Sequence, residues 1–290
     1  MAHRVVPTYH LERAPAHPAI HLAPQQGWMN DINGPYYLDG LYHMFYQANP
    51  VTTTNSCGFD MHWGHAVSKD LIHWDEWPIA IFPDSTGSVY SGSAVIVEDP
   101  IPGVTDGLKL PSPFLFFTAT TPFNQRFATT RDGGDTWQRY EGNPVVKNIA
   151  GSNRDPLVIK DEESGYYVMV LFVPDYNYHI LRSKNLVDWE QTQVIPGWYE
   201  CPEFFPVTSP TTGEKLWLLY GSYLTNDFRA DSAYQLGKFD GKTFEPVGPV
   251  KVAHRGPYFY AALTFKNEPK DRKIMMGWAR GVDMSGTKFN

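Results

Sequence analysis

A short polar turn closed by a large aromatic recurs four times along the chain, and no other feature limits the fold so strongly. Ser68-Lys69-Asp70-Leu71-Ile72-His73-Trp74 follows the apolar segment His62 to Val67. Thr130 to Trp137 and Ser183 to Trp189 follow apolar segments in the same way, and Lys238 to Phe244 is a weaker copy. Asp, Asn and Gly are turn formers, so each copy reads as a hairpin between the outer strands of one unit. The closing aromatics Trp74, Trp137, Trp189 and Phe244 stand 63, 52 and 55 residues apart. Units of that length with several strands each fit the blades of a β-propeller, whereas solenoid repeats are shorter. Four copies plus strand-like segments from Tyr258 onward predict an all-β chain of five blades. Similar turns in an ordinary β-sandwich are the competing arrangement.

Composition agrees with many short strands. Aromatics make up 15% of the 290 residues and charged residues 19%, with 24 Gly and 24 Pro, a balance that disfavours long helices. The formal net charge of −7 opposes nucleic acid or an anionic membrane as partner and leaves a neutral polar substrate open. Cys57 and Cys201 are too few for a disulfide framework and lack metal-ligand spacing; whether they are free thiols stays open. Residues 1–20 form a leader with no apolar run of the signal-peptide kind, ahead of a propeller over residues 21–290. The expectation is a soluble protein, cytoplasmic as numbered, or secreted if a signal has been removed.

In a propeller the first strand of each blade lines a central channel, so equivalent early positions converge on one axis. Asp31, Ser91, Asp155 and Glu200 precede the four closing aromatics by 43, 46, 34 and 44 residues. Three of the four are carboxylates. Asp31 lies in Gly27-Trp28-Met29-Asn30-Asp31-Ile32-Asn33-Gly34, which alone reads as a polar turn, just before a hairpin around Asp39-Gly40. Asp155 precedes Pro156, which should hold it in an extended conformation. Glu200 is flanked by Trp198, Tyr199 and Cys201; burial there would keep it protonated, as a general acid requires. Glu203 competes for that role, and in an extended strand the odd offset would put the two on opposite faces.

Two carboxyl groups in different protonation states across a cleft are what glycoside hydrolysis needs. Trp28, Trp63, Trp198 and Tyr90 near the inner strands are candidate sugar platforms. His62 and His65 bracket Trp63-Gly64, but strand residues at that offset do not form a metal pair and no carboxylate or cysteine joins them. No metal and no cofactor are expected, and neither a phosphate loop nor a nucleophile elbow is present.

At these residues the chain resembles glycoside hydrolase family 32, the invertases, levanases, inulinases and related β-fructosidases. Trp28 to Gly34 matches the W-M-N-D-P-N-G signature at all but one position. Phe45-Tyr46-Gln47, Trp63-Gly64-His65-Ala66, Tyr90-Ser91-Gly92-Ser93, Arg154-Asp155-Pro156 and Glu200-Cys201-Pro202 resemble further family segments in the same order. The resemblance implies Asp31 as nucleophile, Glu200 as acid and base, and Asp155 as transition-state stabiliser. Asn30, Gln47, Trp63, Ser91 and Arg154 would orient a terminal fructofuranosyl unit of sucrose or of an inulin- or levan-type fructan, with retention through a covalent fructosyl-enzyme. A fructosyltransferase or a non-catalytic carbohydrate-binding propeller would use the same scaffold.

Three departures stand out. Ile32 replaces the family's proline, which should loosen the stretch. Asp231 to Tyr234 stands where many members have a Gly-rich, Gln-containing turn. The chain stops at Asn290, before the family's last propeller strand and C-terminal β-sandwich, so a truncated last blade is expected.

Overall fold

The computed structural model describes residues 21–52, 60–224, 230–254, 259–279, 281–282 and 288–289. The leader at residues 1–20 and Cys57 lie outside them. All named elements are strands, and among the described residues no helix is long and apolar enough to cross a membrane.

Four antiparallel sheets, three of four strands and the last of five, follow one another along the chain in a propeller arrangement. The first contains β1 (Trp28–Leu38), β2 (Leu41–Asn49), β3 (His62–Ser68) and β4 (Trp74–Ile81). The second contains β5 (Val89–Val97), β6 (Ser112–Thr120), β7 (Phe123–Thr129) and β8 (Gln138–Arg139). The third contains β9 (Arg154–Asp161), β10 (Tyr166–Val173), β11 (Asn177–Ser183) and β12 (Glu190–Pro196). The fourth contains β13 (Glu203–Thr208), β14 (Lys215–Leu224), β15 (Ala230–Phe239) and β16 (Phe244–Pro246), with β17 (Lys251–His254) also pairing with β15. Asp231 to Tyr234 therefore lies in a strand paired with β14, not in a turn.

The expected five blades are four. Beyond them, among the described residues, β18 (Phe259–Thr264) pairs with β19 (Met275–Ala279), and β20 (Gly281–Val282) pairs with β21 (Lys288–Phe289). These two pairs do not hydrogen-bond to each other, so no fifth four-stranded sheet is built among the described residues. β18 nevertheless lies against β1 on one side and β13 and β14 on the other.

Each of the four turns is the hairpin between the third and fourth strands of its sheet, as the spacing predicts. Asp70 Oδ1 accepts from the backbone of Ile72 (2.9 Å) and His73 (2.8 Å), and Asn185 Oδ1 accepts from Val187 (3.0 Å) and Asp188 (2.8 Å). Leu71 and Leu186 hold the same left-handed φ, 68° and 65°, and their carbonyls take the indole N–H of Trp74 and Trp189. The closing aromatics then fill the seams between sheets. Trp137 packs with Phe45, Trp63 and Phe117 between the first and second sheets, Trp189 with Phe116 and Leu186 between the second and third, and Phe244 with Trp198 and Phe204 between the third and fourth. Trp74 stacks on Phe265, which follows β18. The period thus reports one aromatic plug per seam, and burial of such a side chain contributes roughly 2–3 kcal/mol.

The ring is tied at its ends by a buried ion pair. Glu203 is fully buried on β13 and accepts from Thr264 N (2.6 Å), Thr264 Oγ1 (2.8 Å) and Lys266 Nζ (2.7 Å). Lys266 in turn donates its N–H to Pro35 O (3.0 Å) and accepts from Tyr37 N (2.9 Å). The fourth sheet is thereby linked to the first.

Candidate active site

The starts of the innermost strands meet at one end of the channel. Asp31 lies on β1, Ser91 on β5, Arg154 and Asp155 open β9, and Glu200 and Cys201 immediately precede β13. The expected convergence of Asp31, Ser91, Asp155 and Glu200 is therefore present. The Gly27 to Gly34 stretch is not a turn: β1 passes through it with register shifts between Met29 and Ile32 and between Asn33 and Tyr36. Bulges of this kind re-aim a side chain. Ile32 is buried against Tyr42, Met44 and Phe265, so packing holds the segment where a proline's fixed φ would otherwise act.

Local backbone strain accompanies two of the site residues. Asp155 has φ +62° and Cys201 +56°, conformations uncommon outside glycine. The extended Asp155 expected from Pro156 is thus incorrect; a register shift between Val170 and Phe172 on β10 accommodates the kink. The Cys201 kink also separates the two glutamates. Glu200 stays at the channel mouth ahead of β13, while Glu203 enters the strand and is consumed by Thr264 and Lys266. The chain between them is not extended, so the kink at Cys201 and not strand parity sets their different directions.

Ser91 Oγ donates to Asp31 Oδ2 at 2.8 Å. Cys201 Sγ lies 3.9 Å from the same oxygen and 3.7 Å from Asp155 Oδ2, and Cys201 N donates to Asp155 Oδ2 at 3.2 Å. Asp155 N donates to Thr118 Oγ1 at 3.2 Å. Glu200 is gripped on both oxygens: Arg154 Nε donates to Oε1 at 3.0 Å and its terminal nitrogen pairs with the same atom, while the Tyr260 hydroxyl donates to Oε2. The Arg154 guanidinium rests 4.6 Å above the Phe172 ring. The backbone of Glu200 is fixed as well, its carbonyl accepting from Tyr178 Oη (2.9 Å) and Ser222 N (3.1 Å).

Burial pushes the Asp155 carboxyl up to about 7; Arg154 opposes this, and the Glu200 and Asp31 charges add to it. Burial also raises the Cys201 thiol well above its ordinary range, with Asp155 and Asp31 adding to it, so the sulfur stays protonated. For Arg154 burial works against the charge, and the Asp155 and Glu200 carboxylates outweigh it. Burial, then Glu200, raises Tyr260, keeping it a hydrogen-bond donor. Glu200 itself is not in the apolar pocket its neighbours suggested: Trp198 turns into the core against Tyr178, leaving Glu200 beside a cation and a phenol.

The expected sugar-contacting residues divide. Arg154 is at the mouth, and Asn30 is buried with its Oδ1 taking the Trp28 indole N–H at 2.9 Å. Gln47 is buried and donates to Val89 O at 3.0 Å. Trp63 presents no surface: it is fully buried between Phe45 and Phe117 and braces Tyr90 by donating to its carbonyl at 3.1 Å. Trp198 is equally buried. Both face the seams between sheets rather than the axis. His65 is enclosed among Phe45, Trp77 and Trp137 and contacts His43. A cavity of about 340 Å³ lies further along the same strands, lined by Val158, Phe204, Thr264 and Lys266, and none of the three acids at the mouth lines it.

Tyr260 escaped the sequence reading because β18 joins the site only through ring closure. Its one signal is positional: it stands at the start of the strand that follows the fourth unit, 60 residues after Glu200.

A β-propeller arrangement with three acids at one channel mouth accords with the family match, which is to glycosyl hydrolases. Residues 21–289 match the model of the glycosyl hydrolases family 32 N-terminal domain. The chain belongs to glycosyl hydrolase family 32. It is 35% identical over 280 residues to a levanase of Bacillus subtilis, covering 90% of this chain and 40% of that protein. An invertase of Schizosaccharomyces pombe is 34% identical over 283 residues, covering 90% and 48%. A fructofuranosidase from Schwanniomyces occidentalis, solved with fructose, superposes with a TM-score of 0.81 at 30% identity, covering 90% of this chain and 54% of that one. The chain spans about half the length of the relatives it matches.

Proposed function

We propose that this chain carries the catalytic centre of a retaining β-fructofuranosidase that releases terminal fructosyl units from sucrose or fructans. The observation that carries the reading is the convergence of Asp31, Asp155 and Glu200 from three different sheets around Cys201 and Arg154. Relatives named levanase and invertase support a fructoside as substrate. Residues 21–290 act as one catalytic unit and residues 1–20 as a leader to it.

Asp31, oriented by Ser91, attacks the anomeric carbon and forms a fructosyl-enzyme ester. Glu200, held by Tyr260 and Arg154, gives its proton to the leaving oxygen, then takes one from the water that breaks the ester. Asp155 hydrogen-bonds the fructose hydroxyls. Its buried carboxylate stabilises the positive charge that develops on the ring, an interaction strengthened where water is excluded. Asn30, Gln47 and Trp63 shape and brace this pocket.

Release of fructose from sucrose, raffinose, inulin and levan by the parent, Asp31→Ala and Glu200→Gln proteins tests the assignment. Losses of about 10³-fold or more are expected for both variants. Variants as fast as the parent would make both roles wrong.

A further inference from the structure

One aromatic ring at the carboxylate end takes no part in this mechanism. β9 starts at Arg154 and Asp155 and β10 runs back toward them, so the β10–β11 turn lies on the carboxylate side. Pro174, Asp175 and Tyr176 form that turn between paired Val173 and Asn177, and Asp175 and Tyr176 have φ of 72° and 62°. Hairpin turns of this hand favour Asn-Gly, and a bulky ring is sterically disfavoured there. The Tyr176 side chain is 46% exposed. Its backbone is functionally placed: the Tyr176 carbonyl accepts from Gly197 N (2.7 Å) and Trp198 N (3.2 Å), anchoring the segment that delivers Glu200. Its ring lies 5.8 Å from that of Tyr199, which meets Phe172 edge-on at 5.1 Å. Arg154 covers both Phe172 and Tyr199. A line of rings therefore runs from the guanidinium on Glu200 out to solvent at Tyr176.

We propose that Tyr176, backed by Tyr199, is a platform for the leaving-group sugar, setting a preference for oligofructosides over small fructosides. The inference rests on the β-fructofuranosidase reading. If Glu200 protonates the leaving oxygen, the groups outward of Glu200 face the departing sugar. The C–H face of a sugar is apolar and packs on an aromatic ring, as apolar groups do in other ligand sites. A glycine would occupy this turn without strain, so what the tyrosine contributes is its ring.

The test compares parent, Tyr176→Ala, Tyr176→Gly and Tyr176→Trp proteins on an inulin-type tetrasaccharide and on methyl β-D-fructofuranoside, whose leaving group offers no ring to stack. The ratio of kcat/KM for the tetrasaccharide to that for the methyl fructoside should fall about tenfold in the alanine and glycine variants, mainly through KM. It should return toward the parent value with tryptophan. The glycine variant accepts the left-handed backbone, so its loss reports the ring and not the turn. An unchanged ratio in a parent that cleaves both substrates overturns the platform and leaves the fructosidase reading standing. A parent that cleaves neither overturns the fructosidase reading, and the platform with it.

Discussion

The Tyr260 hydroxyl donates to Glu200 Oε2 while Arg154 holds the opposite oxygen, so a residue of the two-stranded β18–β19 sheet completes the setting of a carboxyl carried by the fourth. Tyr260→Phe keeps the ring packed near Trp278 and Cys201 and removes only the hydroxyl. Hydrogen bonds to charged groups are worth about 1.5–3 kcal/mol, so kcat on sucrose should fall roughly 10- to 100-fold. KM should change little, because Tyr260 acts through Glu200. Steady-state kinetics on the two proteins checks this, and an equal rise in KM would point to a binding role instead.

Arg154 serves Glu200 through two nitrogens and lies flat over Phe172. Lysine offers a single point charge and cannot reproduce either arrangement. Arg154→Lys is expected to lower kcat/KM about 100-fold while leaving thermal unfolding within a few degrees of the parent.

Glu203 is predicted to matter for stability. It is fully buried and paired with Lys266 at 2.7 Å, and removing one partner of such a pair costs about 3–5 kcal/mol. Glu203→Gln should therefore lower the free energy of unfolding by an amount in that range. The double change Glu203→Leu with Lys266→Met should recover much of the loss. Urea denaturation of the three proteins distinguishes the pair from a second catalytic acid, which would lose activity at unchanged stability.

Acid should loosen the first sheet before pH reaches the range of ordinary carboxylates. Burial lowers His43 from 6.5 to about 4, and burial, then the neighbouring His43, holds His65 well below its ordinary value, the two rings touching at 3.1 Å between Nδ1 of His43 and Nε2 of His65. Above pH 6.5 both are neutral folded or unfolded and exert no pH effect. Below it the unfolded chain gains protons first, so stability falls as pH drops toward about 4, by about 3 kcal/mol for His43 alone. Unfolding free energies between pH 7 and pH 4.5 should show this slope, and His43→Phe should flatten it.

What the sequence disclosed follows from how each feature is encoded. The turn chemistry and its closing aromatics are local, so four units and their hairpins were legible from Trp74, Trp137, Trp189 and Phe244 alone. The three acids were legible because the repeat gives them equivalent positions. The blade count failed beyond β17, where the described strands pair two by two and do not join into one sheet. Side-chain direction failed where the backbone leaves regular geometry: Asp155 and Cys201 both take positive φ, which parity and pre-proline rules do not anticipate. Trp63 and Trp198 misled because an aromatic beside a channel strand can equally fill a seam between sheets. Tyr260 and Lys266 depend on contacts across 60 and 63 residues of chain, for which no local pattern exists.

On the proposed mechanism Asp31 attacks one face of the fructosyl unit, and the acceptor then enters from the face the leaving group vacated. Turnover of sucrose in the presence of methanol traps the second step as a stable methyl fructofuranoside, whose configuration is read by proton nuclear magnetic resonance. Methyl β-D-fructofuranoside is the predicted product; the α anomer would contradict the account.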